Sequence, residues 1–349
     1  MIQKTITTNL IKKEDLFNVL ALAEAIQLPV LLIGAPGVAK TAAVIDYAKT
    51  SIGGQLSNDD LFLLETDEGT RSTAIKGNID LNKLTTQNKF EVNSPITKAK
   101  FVVINEIDKA SASLRNSLLG VMNEKMLFNG QEKKNCEWKT FVATCNEIPD
   151  DEKDSPFWDR FAITFHVDRL RESDVLDYYS AGGRKFTNDY KITLPEDGDA
   201  IPSKLDLVKL KKVIDVCYDK LSDRTLSFIP VLVANIVVVY SLTPDRAMIK
   251  AVELLVGKET SNVLAKSIMS KELRQLYDHI DMISACSNDV DYRAKMNEIN
   301  KIGGQLLKDG KLSEVDQKDI EKRAEEQQDK LKFLSDESEE EEVLDNLPF

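Results

Sequence analysis

The chain is poor in the residues that build many catalytic and metal centres. It has two histidines, His166 and His279, and four cysteines, Cys136, Cys145, Cys217 and Cys286, in 349 residues. No two cysteines form a CxxC, so the spacing offers neither a zinc set nor a disulfide framework, and free thiols in a reducing compartment fit best. Basic residues are in deficit: 46 Lys and Arg stand against 58 Asp and Glu, for a net charge of −12. That excludes broad binding to duplex DNA through the bulk surface, although a local basic pore in an oligomer stays compatible with it. Long apolar runs are missing too. The longest, residues 228–240, is too short for a bilayer and contains Pro230 and Asn235, so it reads as a buried helix. The first seventeen residues have no apolar segment of the secretion-signal kind, and the expectation is a cytoplasmic protein, of a cell or of a virus inside one.

What is present is ordinary for a folded chain: 42% hydrophobic and 30% charged residues, in a length that allows two domains with full cores. The acidity is concentrated. Residues 335–349 hold seven acids and no base, so the rest of the chain carries only −5. The first two hundred residues alternate strand-like and helix-like patterns, the mark of an α/β fold with a parallel sheet. Strands are expected at 29–33, 61–64, 101–104, 140–144 and 162–167, and helices at 15–27, 41–51 and after 110. A hairpin is expected at 125–134 on Asn129-Gly130. The character changes after about Asp168. Beyond a loop at 195–202 the patterns are almost all helical, over 205–220, 222–239, 243–255 and 259–307, with a charged stretch to 334 and a disordered acidic end.

The strongest motif is Gly34-Ala35-Pro36-Gly37-Val38-Ala39-Lys40-Thr41, directly after an apolar strand and opening a helix. Backbone N–H groups in such a loop, and at the helix start behind it, face phosphate. Lys40 is placed for the β- and γ-phosphates of a nucleotide and Thr41 for Mg²⁺. Alanine at position 39, where the strict pattern has glycine, fits if its φ is negative. The second motif is Asn105-Glu106 at the end of the strand FVVI. Glu106 can polarise an attacking water. Asn105 stands where an aspartate normally holds a metal-bound water; it accepts the same hydrogen bond without the charge, and Asp108 is the nearby acid able to compensate. The third is Asn146, after Thr144-Cys145 at the end of the next strand, placed to orient water or touch the γ-phosphate. Arg160, in Trp-Asp-Arg-Phe, can reach a neighbouring subunit's phosphate. Arg224, in Leu-Ser-Asp-Arg, opens a lid helix. Singly, a strand-end asparagine or a surface arginine has a plain structural reading; the order along the chain gives them weight.

Together these motifs resemble an AAA+ ATPase, specifically the MoxR family. Gly-x-Pro-Gly-x-Ala-Lys-Thr is typical of it, Asn105-Glu106 falls at its Walker B pair, Asn146 at sensor 1, Arg160 at the arginine finger and Arg224 at sensor 2. The stretch from Tyr240 to Asp245 resembles the family's Tyr-x-Thr-Pro-Asp-Asp. The resemblance covers about residues 10–257. It implies ATP and Mg²⁺ as ligands, a homo-oligomeric ring, usually of six, and a protein client, often of von Willebrand factor A type. The expected domains are an αβα nucleotide-binding domain over 1–180, a helical lid over 203–258, a helical region over 259–334 and a tail over 335–349. Lys76, between Ile75 and Gly77, falls where such proteins carry inserts or pore-facing loops, and a plain turn fits equally.

The last residues, Asp345-Asn346-Leu347-Pro348-Phe349 behind an acidic run, resemble the C-terminal tip of bacterial single-stranded-DNA-binding proteins. That resemblance implies docking on proteins that read such tips, in DNA replication or repair; a solubilising acidic end is the plain alternative. Two functions are thus carried forward. One is an ATP-driven remodeller. The other is a weakly hydrolysing, ATP-gated scaffold that recruits partners through its tail. A small-molecule P-loop kinase is a distant third.

Overall fold

A computed structural model describes residues 2–57, 59–79, 92–129, 132–150, 155–170, 174–176, 187–195, 205–282, 289–309 and 320. The tail residues Asp345, Leu347, Pro348 and Phe349 lie outside these. Two compact units are present: residues 1–202 with 221–240, and residues 203–220 with 241–349.

The first unit is built on five parallel strands. They are β2 (Val30–Ile33), β3 (Leu61–Glu65), β6 (Phe101–Asn105), β9 (Thr140–Cys145) and β10 (Ile163–His166), in the order β10-β2-β9-β6-β3. Strands β2, β6 and β9 carry runs of successive apolar residues rather than an alternating pattern, because both faces of a central parallel strand are covered, and all their residues are buried. Edge strand β3 is only partly buried. Helices α1 (Glu14–Ile26), α2 (Lys40–Ile52) and α4 (Ala112–Glu124) accompany the sheet. Helix α4 starts where the Ser111 hydroxyl accepts from Leu114 N, and it buries Leu114, Leu118, Val121 and Met122 on the stripe its periodicity predicts. The hairpin β7 (Met126–Asn129) with β8 (Glu132–Asn135) is antiparallel. The short helix α3 (Thr73–Lys76) fully buries Ile75, which joins the core rather than standing out as a loop tip. Two-residue strands β4 (Asn78–Ile79) and β5 (Val92–Asn93) complete the small pairings.

Two features depart from the expected order. A second ribbon pairs β1 (Ile2–Thr8) antiparallel with β11 (Asn188–Leu194), so the chain's opening residues are a strand. And the helix opening at Arg224 is grouped with the sheet unit instead of with the other lid segments. Its neighbours in sequence belong to the second unit, which contains α5 (Leu207–Cys217), α7 (Pro244–Val256), α8 (Lys258–Ile268), α9 (Lys271–Asp281) and α10 (Asp289–Lys308). The helix in question, α6 (Asp223–Val239), is the apolar run containing Pro230 and Asn235; it buries Ile229, Leu232, Val233 and Ile236. Among the described residues no single helix is long and apolar enough to cross a membrane.

Candidate functional site

The site sits at the carboxyl ends of β2, β6 and β9, where the loops of a parallel sheet gather. Strand β2 ends at Ile33, and Gly34 N donates to Cys145 O at 3.2 Å, tying the loop to the end of β9. A side chain at position 34 would place its Cβ 2.5 Å from the Val167 carbonyl oxygen, so the close approach admits only glycine. Gly37 takes φ +83°, a conformation that suits glycine. Ala39 takes φ +65°, so the expectation of a negative φ is corrected: the loop holds an L-residue in the left-handed region, at a cost of about 1–2 kcal/mol. Lys40 opens α2 behind it. Its Nζ donates to Gly34 O at 2.5 Å and Ala35 O at 3.2 Å, and lies 3.4 Å from Asn146 Oδ1. Burial lowers the Lys40 pKa; Asp108 and Glu106 oppose that shift. The adjacent Cys145 thiol is pushed up by burial to about 12 and is neutral at physiological pH.

One hydrogen-bonded chain links three strands. Thr41 Oγ1 donates to Asn105 Oδ1 at 3.0 Å, and Thr144 Oγ1 donates to the same oxygen at 3.2 Å. Asn105, only 3% exposed, donates from Nδ2 to Glu65 Oε1 at 2.8 Å. Glu106 leaves β6 in the left-handed region, φ +56°, and its carboxylate pairs with Lys109 Nζ at 2.6 Å. Its backbone N–H points to Thr144 Oγ1 at 3.4 Å. Thr66, also buried, has its hydroxyl 2.8 Å from Asn105 O and 2.6 Å from Glu106 O, which fixes the turn that presents Glu106. Asp108 has a carboxyl raised by burial, and its Oδ1 is buried with no hydrogen-bond partner among the described residues.

Thus Lys40, Thr41, Asn105, Glu106 and Asn146 converge as their motifs predict. The two arginines do not join them. Arg160 lies in a single 3₁₀ turn, Trp158–Arg160, with a buried Nε that has no hydrogen-bond partner among the described residues. Beside it Arg115 lies 5.8 Å from the Phe157 ring centre and 6.0 Å from that of Trp158. Arg224 donates to Asn123 Oδ1 at 2.6 Å, at the end of α4. Sequence reasoning passed over Glu65, Thr66, Thr144 and Arg115. Thr144 was legible as a strand-end hydroxyl beside Asn146; Glu65 shows its role only through the register that sets it opposite Asn105.

The donor set suits Mg²⁺ brought by a nucleotide. Among the described residues no group of three or more His, Cys, Asp and Glu could hold a metal by itself. Hydroxyl and amide oxygens from Thr41 and Asn105 are the hard donors that Mg²⁺ takes alongside phosphate and water.

Comparisons with known proteins bear on the family and the fold. Residues 1–198 match the family model described as the MoxR domain in the MoxR-vWA-beta-propeller ternary systems. A structural protein of Acidianus two-tailed virus is 31% identical over 138 residues, 39% of this chain and 22% of that protein. An uncharacterised protein of Methanocaldococcus jannaschii is 22% identical over 205 residues, 56% of this chain and 53% of that protein. The chain therefore spans between about a fifth and a half of the length of these curated relatives. The crystal structure of a Cytophaga hutchinsonii protein, provisionally named an ATPase, shares the fold with a TM-score of 0.55 at 16% identity, covering 75% of this chain and 91% of that one. The family match begins at residue 1, so it takes in β1, which the motifs alone left out. Matched over more than half its length, and carrying the phosphate loop and its partner strands in the order described, the chain belongs to the MoxR family of AAA+ ATPases.

Proposed function

We propose that the protein hydrolyses Mg-ATP at the interfaces of an oligomeric ring, a hexamer as is usual in the family, and couples hydrolysis to remodelling a protein partner in the cytoplasm of a cell or of an infected host. The observation that carries this reading is the convergence of Lys40, Thr41, Asn105, Glu106 and Asn146 on one edge of the sheet, joined by the contacts described above. The loop amides and Lys40 bind the triphosphate, for which charged phosphate oxygens are stronger acceptors than the carbonyls of Gly34 and Ala35. Thr41 and Asn105 are the residues that would hold Mg²⁺, whose chemistry is to neutralise charge on the phosphates. Glu106 takes the proton of the attacking water, and Asn146 orients that water. Arg160 stabilises charge from the neighbouring subunit, and Arg224 reports the nucleotide state to the lid. A von Willebrand factor A-type protein is the partner class favoured by the systems for which the matching family model is named.

The decisive experiment mixes Arg160→Ala with Glu106→Gln chains, each inactive alone. Shared sites return part of the activity in mixed rings; verified mixed rings with none refute the trans assignment. One observation favours the second reading. Lys109 holds the Glu106 carboxylate at 2.6 Å, so that oxygen is engaged with an ammonium group rather than free to accept from a water. On that reading the chain assembles with ATP, scarcely turns it over, and recruits replication or repair proteins through its tail. Steady-state turnover, measured together with sizing with and without nucleotide, separates the two.

A further inference from the structure

The chain has an amide, Asn105, where the metal–water shell of such a site calls for an acid. Across the parallel pair β3–β6 the register sets Glu65 opposite Asn105. Asn105 is buried and its side chain is oriented without ambiguity. Its oxygen accepts from Thr41 at 3.0 Å and Thr144 at 3.2 Å, while its nitrogen donates to Glu65 at 2.8 Å. Turning the amide over would press its oxygen against a carboxylate oxygen, acceptor to acceptor. Glu65 itself is exposed, at the end of the edge strand, so its charge is not sealed in the core. Thr66 keeps the two strand ends in register by reaching the carbonyls of Asn105 and Glu106.

We propose that Glu65 and Asn105 form one unit in which the carboxylate for the Mg²⁺ shell is carried by β3 and acts through the amide on β6. This rests on the nucleotide-binding reading above and adds a residue to it. The physical basis is polarisation. An amide whose N–H donates to a carboxylate has a more negative carbonyl oxygen, and hydrogen bonds in such a chain strengthen one another. Asn105 Oδ1 thereby presents part of the charge of Glu65 to Thr41 and to metal-bound water. Asp108 is less suited to this task, because no hydrogen bond joins it to Asn105 or Thr41 among the described residues. Glu65 is a positioning and charge-supplying residue, not a catalytic one.

Glu65→Gln isolates the charge, since glutamine still offers Oε1 to Asn105 Nδ2. The test titrates Mn²⁺ into the full chain with ATPγS, reading free Mn²⁺ by its paramagnetic resonance, and measures ATPγS binding in EDTA and Tm beside it. The expected result is Mn²⁺ affinity weakened by about 10- to 100-fold, the usual effect of losing an outer-shell partner, with Tm and metal-free ATPγS binding unchanged. Glu65→Gln with Asn105→Asp returns a carboxylate to the unit and restores Mn²⁺ affinity. Mn²⁺ affinity within twofold of the native chain in Glu65→Gln overturns the proposal, and so does a double variant that fails to recover. A native chain that does not bind ATPγS at all overturns the nucleotide-binding reading instead, so the two failures are told apart.

Discussion

The sheet unit and the helical unit use polar groups in opposite ways. In the sheet unit they come inward at strand ends, and buried side chains such as Asn105 and Thr144 are spent on one another across β3, β6 and β9. In the helical unit the described hydrogen bonds and ion pairs lie mainly near helix starts and surfaces. Asp206 accepts from Val208 N at 2.9 Å at the start of α5, Ser270 accepts from Leu273 N at 3.1 Å at the start of α9, and Lys209 pairs with Asp245 at 2.6 Å. Its interior gathers apolar side chains such as Leu264, Leu276, Ile280 and Ile299. The difference teaches where each unit is vulnerable: chemistry can be removed from the first with folding intact, whereas the second is held chiefly by packing.

The sharpest way to expose this is Glu106→Gln. It is expected to lower ATP turnover by about 10²- to 10⁴-fold, the range for a lost general base, while ATP binding and Tm hold. Unchanged turnover places the base elsewhere. The counterpart in the helical unit is Leu276→Ala, at a fully buried position. A loss of about 2–5 kcal/mol is expected in denaturant melts, with nucleotide affinity retained wherever the chain is folded. If Leu276→Ala instead abolishes nucleotide binding in the folded chain, the division fails.

Smaller effects probe the loop. Gly34→Ala forces a Cβ against the Val167 carbonyl and is expected to cost about 1–3 kcal/mol, because backbone cannot swing aside as a side chain can. Ala39→Gly relieves the left-handed conformation and is expected to stabilise by about 1 kcal/mol. The smallest effect is at Asp108. Burial raises this carboxyl in the folded state, so its contribution is fully present below the unfolded carboxylate value and fades as pH rises through the folded one. Asp108→Asn removes that slope. The variant should match the native chain near pH 3 and exceed it by a few tenths of a kcal/mol at pH 7, solvent screening keeping the figure small. Thermal melts across that range decide it.

The central strands were legible because burial on both faces leaves apolar runs, as from Phe101 to Ile104. The loop, Asn105-Glu106 and Asn146 were legible because each follows such a run directly. What could not be read depends on partners far along the chain. Glu65 meets Asn105 across 40 residues and Arg224 meets Asn123 across 101. Strand β1 reads as a polar lead-in, with Ile6 and Thr8 its only buried positions, and nothing local announces β11. The φ of Ala39 is set by the loop closing on phosphate-binding geometry, which propensity does not carry. The grouping of α6 with the sheet unit escaped for a similar reason: its apolar face shows that it is buried, but not by what.

The β1–β11 ribbon has a consequence for synthesis. Ile2 pairs with Leu194 and Thr8 with Asn188, so β1 is made long before the partner it pairs with. At about 5–20 residues per second, Ile2 waits for roughly ten to forty seconds with its main-chain groups unclaimed. An emerging strand with open hydrogen-bonding edges is an invitation to neighbouring chains. Lys4, within that strand, supplies a charge of the kind that discourages such encounters. The parallel sheet has its last strand, β10, before β11 is made. Closure is then a late event in birth order, and β1 is secured only after the strands of the parallel sheet have been made.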